Sequence, residues 1–340
     1  MSKKTITILL VILVVLVGVF IIQRSLTSSS LKPKSLSELQ MSFVPESVSY
    51  IQVFKEEFPD SGLYFARRDT GWIVVNEYGT QAKTGEIQKL LTDISIVKGA
   101  VRAESEDLYP EFSITDNAAL QIRLLGADSS LVAHIYVGKG GPDGHSCFVR
   151  LPGSPRVYLA ENNFVSRFAA WNAPAFKKLP TDRWMNLNLC SLDRNSVSSI
   201  KLNTPKAQYE FALVKEESED TSSAPVKIWQ QVLPMKGTKL EESKIRSLQG
   251  GISGLNASGV ANPANADKFG LDKPSYSVWS ADTLGNSALI SFSDKIDTLE
   301  ERYATVQGRN TVYRVNKGAF ERIFVTPFEK PKESKPKASM

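Results

Sequence analysis

From Val48 to Phe54 apolar and polar positions alternate with period two, which predicts a strand with one buried face. Residues 63–67 and 72–75 predict two more strands, joined by the turn formers Asp69, Thr70 and Gly71. The period then lengthens. Ile87, Leu90, Leu91 and Ile94 fall on one helical face behind Thr84, a residue suited to an N-cap. After a polar loop, residues 120–124 and 131–137 flank a hairpin-like stretch at 126–130. Strands at 146–151 and 156–159 surround Pro152 and Gly153, and residues 164–171 read as a short helix.

The same order returns downstream. Strands are predicted at 197–202, 209–214 and 228–233, a helix at 241–252, strands at 275–280, 288–293, 302–306 and 311–315, and a helix at 317–324. Individual positions return with it. Val157, Tyr158 and Leu159 reappear 155 positions later as Val312, Tyr313 and Arg314, with Phe148 as Tyr303 and Gly153 as Gly308. Trp72 pairs with Trp229 and Phe112 with Phe269 at an offset of 157; Ile87, Leu90 and Ile94 pair with Ile245, Leu248 and Ile252 at 158. Between Ile51 and Ile200 the offset is 149, and the acidic insert at 215–225 accounts for most of the change. Ordered similarity at a steady offset points to duplication.

The predicted class is α+β, with two tandem repeats of order β-β-β-α-β-β-β-β-α. Each repeat is expected to be an antiparallel sheet with one packed helix and a short closing helix. The expected divisions are a cytoplasmic N-terminus and anchor (1–24), a polar stalk (25–44), repeat one (45–171), a connector (172–192), repeat two (193–328) and a disordered basic tail (329–340). Phe176, Leu179, Trp184, Leu187 and Leu189 give the connector apolar anchors, so it is expected to pack between the repeats rather than flex.

Residues 5–22 are uncharged and almost wholly apolar. As a helix they span about 27 Å, close to a bilayer core of about 30 Å. No small-x-small cleavage site follows, which favours a retained transmembrane anchor over a cleaved signal peptide. Lysines and arginines flank the span almost evenly. The short N-terminal tail places it inside, and the body is expected to be extracytoplasmic on the inner membrane.

The chain has 340 residues and a net charge of +5. The first forty residues hold an excess of four positive charges and the last twelve an excess of two, so the body between is near neutral. That argues against a nucleic-acid surface. Cys147 and Cys190, 43 apart, could form a disulfide in an oxidising compartment or remain two buried thiols.

Candidate chemistry is sparse. His145 and Cys147 are two apart and can share a strand face, but no third ligand or base accompanies them, so a hairpin with a buried thiol is the plainer expectation. His134 is the other histidine. The glycine-rich run from Gly138 to Gly144 carries its lysine in the wrong place for a phosphate loop and joins two strands. Asp182 and Arg183 are expected to cap or pair locally, and Asp272 to order the turn before Pro274. The acidic run at 216–220 lacks the alternation of a calcium loop. Trp72 and Trp229 are expected in cores. No catalytic, cofactor or metal site is expected, and no cofactor.

The paired tryptophan strands, the Phe269-Gly270-Leu271-Asp272-Lys273-Pro274 step, the closing Tyr303, Val312-Tyr313 and Phe320 pattern and the N-terminal anchor resemble the bacterial "domain of unknown function 4340" family. The resemblance covers about residues 45–328 and is clearest from Phe269 to Phe324. It departs at residues 112–117, which lack the glycine and proline of the second copy. It implies no established activity. Members often accompany gliding-motility-type ABC transporter components, which implies an envelope accessory role. The expected function is therefore a non-enzymatic, membrane-anchored scaffold or accessory subunit, with such components as partners and no nucleic acid. The alternative is an extracytoplasmic ligand-binding module with a site between the repeats.

Overall fold

A computed structural model describes residues 39, 41–171, 178–216, 226–234 and 240–328. The predicted anchor, most of the stalk, part of the connector, nearly all of the acidic insert and the basic tail lie outside the described residues. Among the described residues no helix is long and apolar enough to cross a membrane.

The first half runs β1 (Tyr50–Phe54), β2 (Leu63–Arg68), β3 (Gly71–Val74), β4 (Thr80–Gln81), α1 (Thr84–Ser95), β5 (Gly99–Ala103), β6 (Leu120–Leu125), β7 (Leu131–Gly140), β8 (Cys147–Arg150), β9 (Val157–Ala160) and α2 (Phe164–Arg167). The second runs β10 (Val197–Asn203), β11 (Gln208–Glu216), β12 (Val226–Leu233), α3 (Glu242–Ser253), β13 (Gly259–Ala261), β14 (Tyr276–Asp282), β15 (Ser287–Ile296), β16 (Arg302–Val306), β17 (Val312–Val315) and α4 (Lys317–Phe324). The fold is mixed α+β, with two antiparallel sheets and few helices. Their strand orders are β4-β3-β2-β1-β6-β7-β8-β9-β5 and β12-β11-β10-β14-β15-β16-β17-β13. Apart from β4, the two orders correspond strand for strand. By compactness, the described residues up to Leu63 group with Gln88–Pro180, and Tyr64–Ile87 group with those from Thr181 onward.

Each half has one strand more after its long helix than the periodicity predicts. These are β5 and β13, which pair antiparallel with β9 and β17. They are short and rich in glycine and alanine, and their mates lie more than fifty residues away. No hairpin signal marks them. The helix predicted over 164–171 is a single turn, and Ala169, at φ 52°, follows its end.

The predicted cores form. Ile87, Leu90, Leu91 and Ile94 of α1 are buried, as are Ile245, Leu248 and Ile252 of α3. Removing each such side chain from water contributes roughly 1.5–3 kcal/mol. Trp72 and Trp229 are buried, and so are the connector residues Leu179, Trp184 and Leu189. The Phe65 and Trp184 rings meet edge-on at 5.4 Å. Gly153 and Gly308 occupy the left-handed region at φ 69° and 80°, where a side chain would be strained, so both copies of that turn retain glycine.

Candidate functional site

Period two continues past the end of β1. Ile51 and Val53 face inward, and Lys55 follows them onto the same side, only 4% exposed. It borders a cavity of about 460 Å³. Lys139 at the end of β7, Ser113, Asn163, Ser166 and Trp171 complete the polar and aromatic part of the wall. Burial pushes the Lys55 ammonium below its usual value, and Glu57 partly opposes this.

The glycine loop forms the cavity rim. It is a hairpin, since β7 and β8 pair antiparallel with Gly140 opposite Cys147. Asp143 Oδ1 accepts from the Ser146 hydroxyl at 2.6 Å and from the backbone N–H groups of Ser146 and His145 at 2.9 and 3.0 Å. Those bonds hold its carboxyl below the usual range, the hydroxyl contributing most. Asn163 Nδ2 donates to the Gly144 carbonyl at 2.8 Å, and its Oδ1 caps α2 by accepting from Ser166 N at 2.8 Å. Gly138 has a packing reason. A Cβ there would lie 2.2 Å from the Phe112 carbonyl oxygen, so only glycine lets the strand pass. The loop is built by close backbone approach and turn bonds.

The structure does not bring His145 and Cys147 together as a catalytic pair. His145 is exposed. Cys147 is fully buried and its thiol donates to the Asn162 carbonyl at 3.1 Å. Burial pushes that thiol up to about 11. Cys147 and Cys190 are both free, buried thiols. Asp182 and Asp272 are exposed, and neither borders the cavity. Glu217–Asp220 of the acidic run lie outside the described residues. Among the described residues, no group of three or more His, Cys, Asp or Glu is placed to hold a metal ion.

A polar network lies on the first sheet that residue periodicity did not reveal. Arg150, 5% exposed, donates from Nε to the Ile114 carbonyl at 2.8 Å and pairs with Asp116. Its guanidinium sits 3.5 Å from the Tyr136 ring centroid, a cation–π contact. Gln121 donates to Glu56 and to the Asp116 carbonyl; its Oε1 accepts from Arg123 at 2.9 Å and from His134 Nε2 at 3.1 Å. Desolvation, then Arg123 and Arg150, lower the His134 pKa to about 4, so the ring is neutral at pH 7. Gln121 alternates with Leu120 and Ile122, and Arg150 follows Val149, so period two assigns both to the opposite face of the sheet and gives no sign of their burial.

In the second half, Tyr209, Tyr276, Phe320, Phe324 and Phe328 border a groove of about 430 Å³ with Arg302 at its side. Arg302 lies 4.2 Å from the Phe320 ring centroid and donates to the Asp294 carbonyl at 2.8 Å.

The family model described as "Domain of unknown function (DUF4340)" matches residues 72–274. The chain belongs to this family. The match begins at the first paired tryptophan and ends at Pro274, so it takes in the Phe269–Pro274 step but not the closing strands and helix where the resemblance reads most clearly. No curated protein and no solved structure matches the chain. Membership in the DUF4340 family brings no activity with it.

Proposed function

We propose that this DUF4340 protein is a non-enzymatic accessory or scaffold subunit of the cell envelope. Residues 5–22 anchor it in the inner membrane by one helix, its body is extracytoplasmic, and its partner is an ABC-type transporter of the gliding-motility kind. Its two sheets are copies of one duplicated unit. Matching strand orders, paired aromatic contacts and left-handed turn glycines support the duplication. The observation that carries the non-enzymatic reading is the state of the candidate reactive groups. The Cys147 thiol is buried, bonded and pushed up to about 11, and His134 is held neutral within a hydrogen-bonded network. A nucleophile needs an adjacent base and a place for substrate. Affinity purification of the tagged full-length chain from solubilised membranes tests the proposal. Recovery with transporter subunits is expected; recovery without any stable partner overturns it.

One observation favours a second reading, an extracytoplasmic ligand-binding module. The cavity beside Lys55 has a size in the range of small-molecule sites and pairs two cations with amide and hydroxyl groups. A small carboxylate or phosphate would suit that lining. Saturable binding of such an anion, lost in Lys55→Met, would favour this reading over the scaffold.

A further inference from the structure

We propose that Arg194, Lys244 and Arg322 form a binding site for a phosphate group in the second half of the chain. The three cations come from separate places: the turn before β10, the first turns of α3, and α4. They border one cavity of about 540 Å³, together with the hydroxyl residues Ser247 and Thr326. Among the described residues, no acidic side chain lines it. A second cavity, of about 260 Å³, shares Arg194 and is also lined by Lys227 and Arg246. Arg246 already has a carboxylate partner in Glu242, at 2.6 Å. Among the described residues, the Arg194 and Arg322 side chains have no hydrogen-bond or ion-pair partner.

The backbone is arranged around Arg194. Gln249, buried in α3, donates from Nε2 to the Arg194 carbonyl and so ties this turn to the helix. The next residue is Gly250. A Cβ there would approach the Arg194 guanidinium carbon to 3.1 Å, so glycine leaves the space in which that side chain lies across the helix. Gly251 follows it. A glycine in a helix interior costs about 1 kcal/mol relative to alanine. At Gly251 a Cβ would meet nothing closer than 3.8 Å, so packing alone does not require it. The pair leaves the helix backbone between Arg194 and Arg322 without side chains of its own.

The Arg194 and Arg322 guanidinium groups, with no carboxylate partner among the described residues, repel one another, and an anion relieves that repulsion. Two guanidinium groups match the fork geometry of phosphate oxygens, and an ammonium and hydroxyls add further donors. The phosphate could be free or carried by a lipid headgroup. This inference does not rest on the scaffold reading.

The test is calorimetric titration of the full-length chain in a neutral detergent, with two probes. Inorganic phosphate represents the free anion, and soluble glycerophosphoglycerol represents a phospholipid headgroup. Saturable binding of either is expected, weakened tenfold or more by Arg194→Gln or Arg322→Gln. Lys273→Gln, an exposed charge elsewhere, should leave it unchanged. Tighter binding of glycerophosphoglycerol assigns the site to a headgroup, and tighter binding of inorganic phosphate assigns it to a free anion. The proposal is overturned if neither probe binds saturably, or if all three variants weaken binding equally. Both arginines are exposed, so circular dichroism of the variants should match the parent; a variant whose spectrum changes is replaced by Arg→Lys at the same position, which should keep part of the affinity.

Discussion

Phe269 stacks on Tyr303, with ring centroids 3.9 Å apart and planes 11° from parallel. Phe112 and Phe148, their sequence counterparts, meet at 4.6 Å with planes tilted by 47°. The same two positions thus touch in both halves, although Phe269 and Tyr303 are more nearly parallel. An aromatic pair contributes about 0.5–1.5 kcal/mol beyond its buried area. A double-mutant cycle on Phe269→Ala and Tyr303→Ala, followed by urea unfolding, should give a coupling of that size. A coupling near zero would mean that the stack is packing without a specific term.

Trp72 and Trp229 sit in β3 and β12 with almost no exposed surface. Trp→Ala at either position should cost roughly 3–5 kcal/mol, because the cavity left behind only partly collapses. The readout is the shift in the urea midpoint at unchanged slope. A shift worth under 1 kcal/mol would contradict the buried placement.

His134 links stability to pH. Its folded pKa, about 4, lies below the ordinary 6.5, so the unfolded chain takes up the proton first as pH falls. Its contribution is complete above about pH 6.5 and is lost as pH falls toward about 4. The groups around it are Arg123, Arg150 and Asp116, with Gln121 accepting its N–H. Unfolding free energy should therefore drop between pH 7 and pH 5, and His134→Gln should flatten that drop. Identical pH slopes in parent and variant would contradict the buried neutral ring.

Both cysteines should resist alkylation in the native chain at pH 8 and react fully in denaturant, since each is buried and unpaired. Intact mass after native iodoacetamide treatment checks this. Rapid native labelling, or a disulfide surviving in the denatured chain, would contradict it.

Asn316 caps α4, its Oδ1 accepting from Ala319 N at 2.8 Å, as Asn163 does for α2. Asn316→Ala should cost about 1 kcal/mol, within the range of such caps. Thermal unfolding of that variant measures it, and an unchanged midpoint would mean that solvent replaces the cap.

Periodicity made most of the fold legible. The 3.6-residue pattern found α1 and α3, and the two-residue pattern found the hairpin strands to within a few positions. It failed at β5 and β13, which carry almost no side-chain pattern and owe their position to distant mates in β9 and β17. The shared apolar positions exposed the common order of elements along the chain, and the strand order within each sheet came from the structure. The polar groups were harder to read. Lys55 continues the inward face of Ile51 and Val53, so its burial was implicit in the strand. The joining of Arg150 to Asp116, and of Arg194 to the glycines of α3, depends on tertiary placement that no local spacing encodes.

The most direct test of the accessory role is the mass of the species that carries the chain when it is extracted gently from membranes. The account predicts an assembly well above the 37.5 kDa of the single chain, containing transporter subunits. A lone chain with its detergent belt, found under conditions that keep other envelope complexes intact, would contradict it.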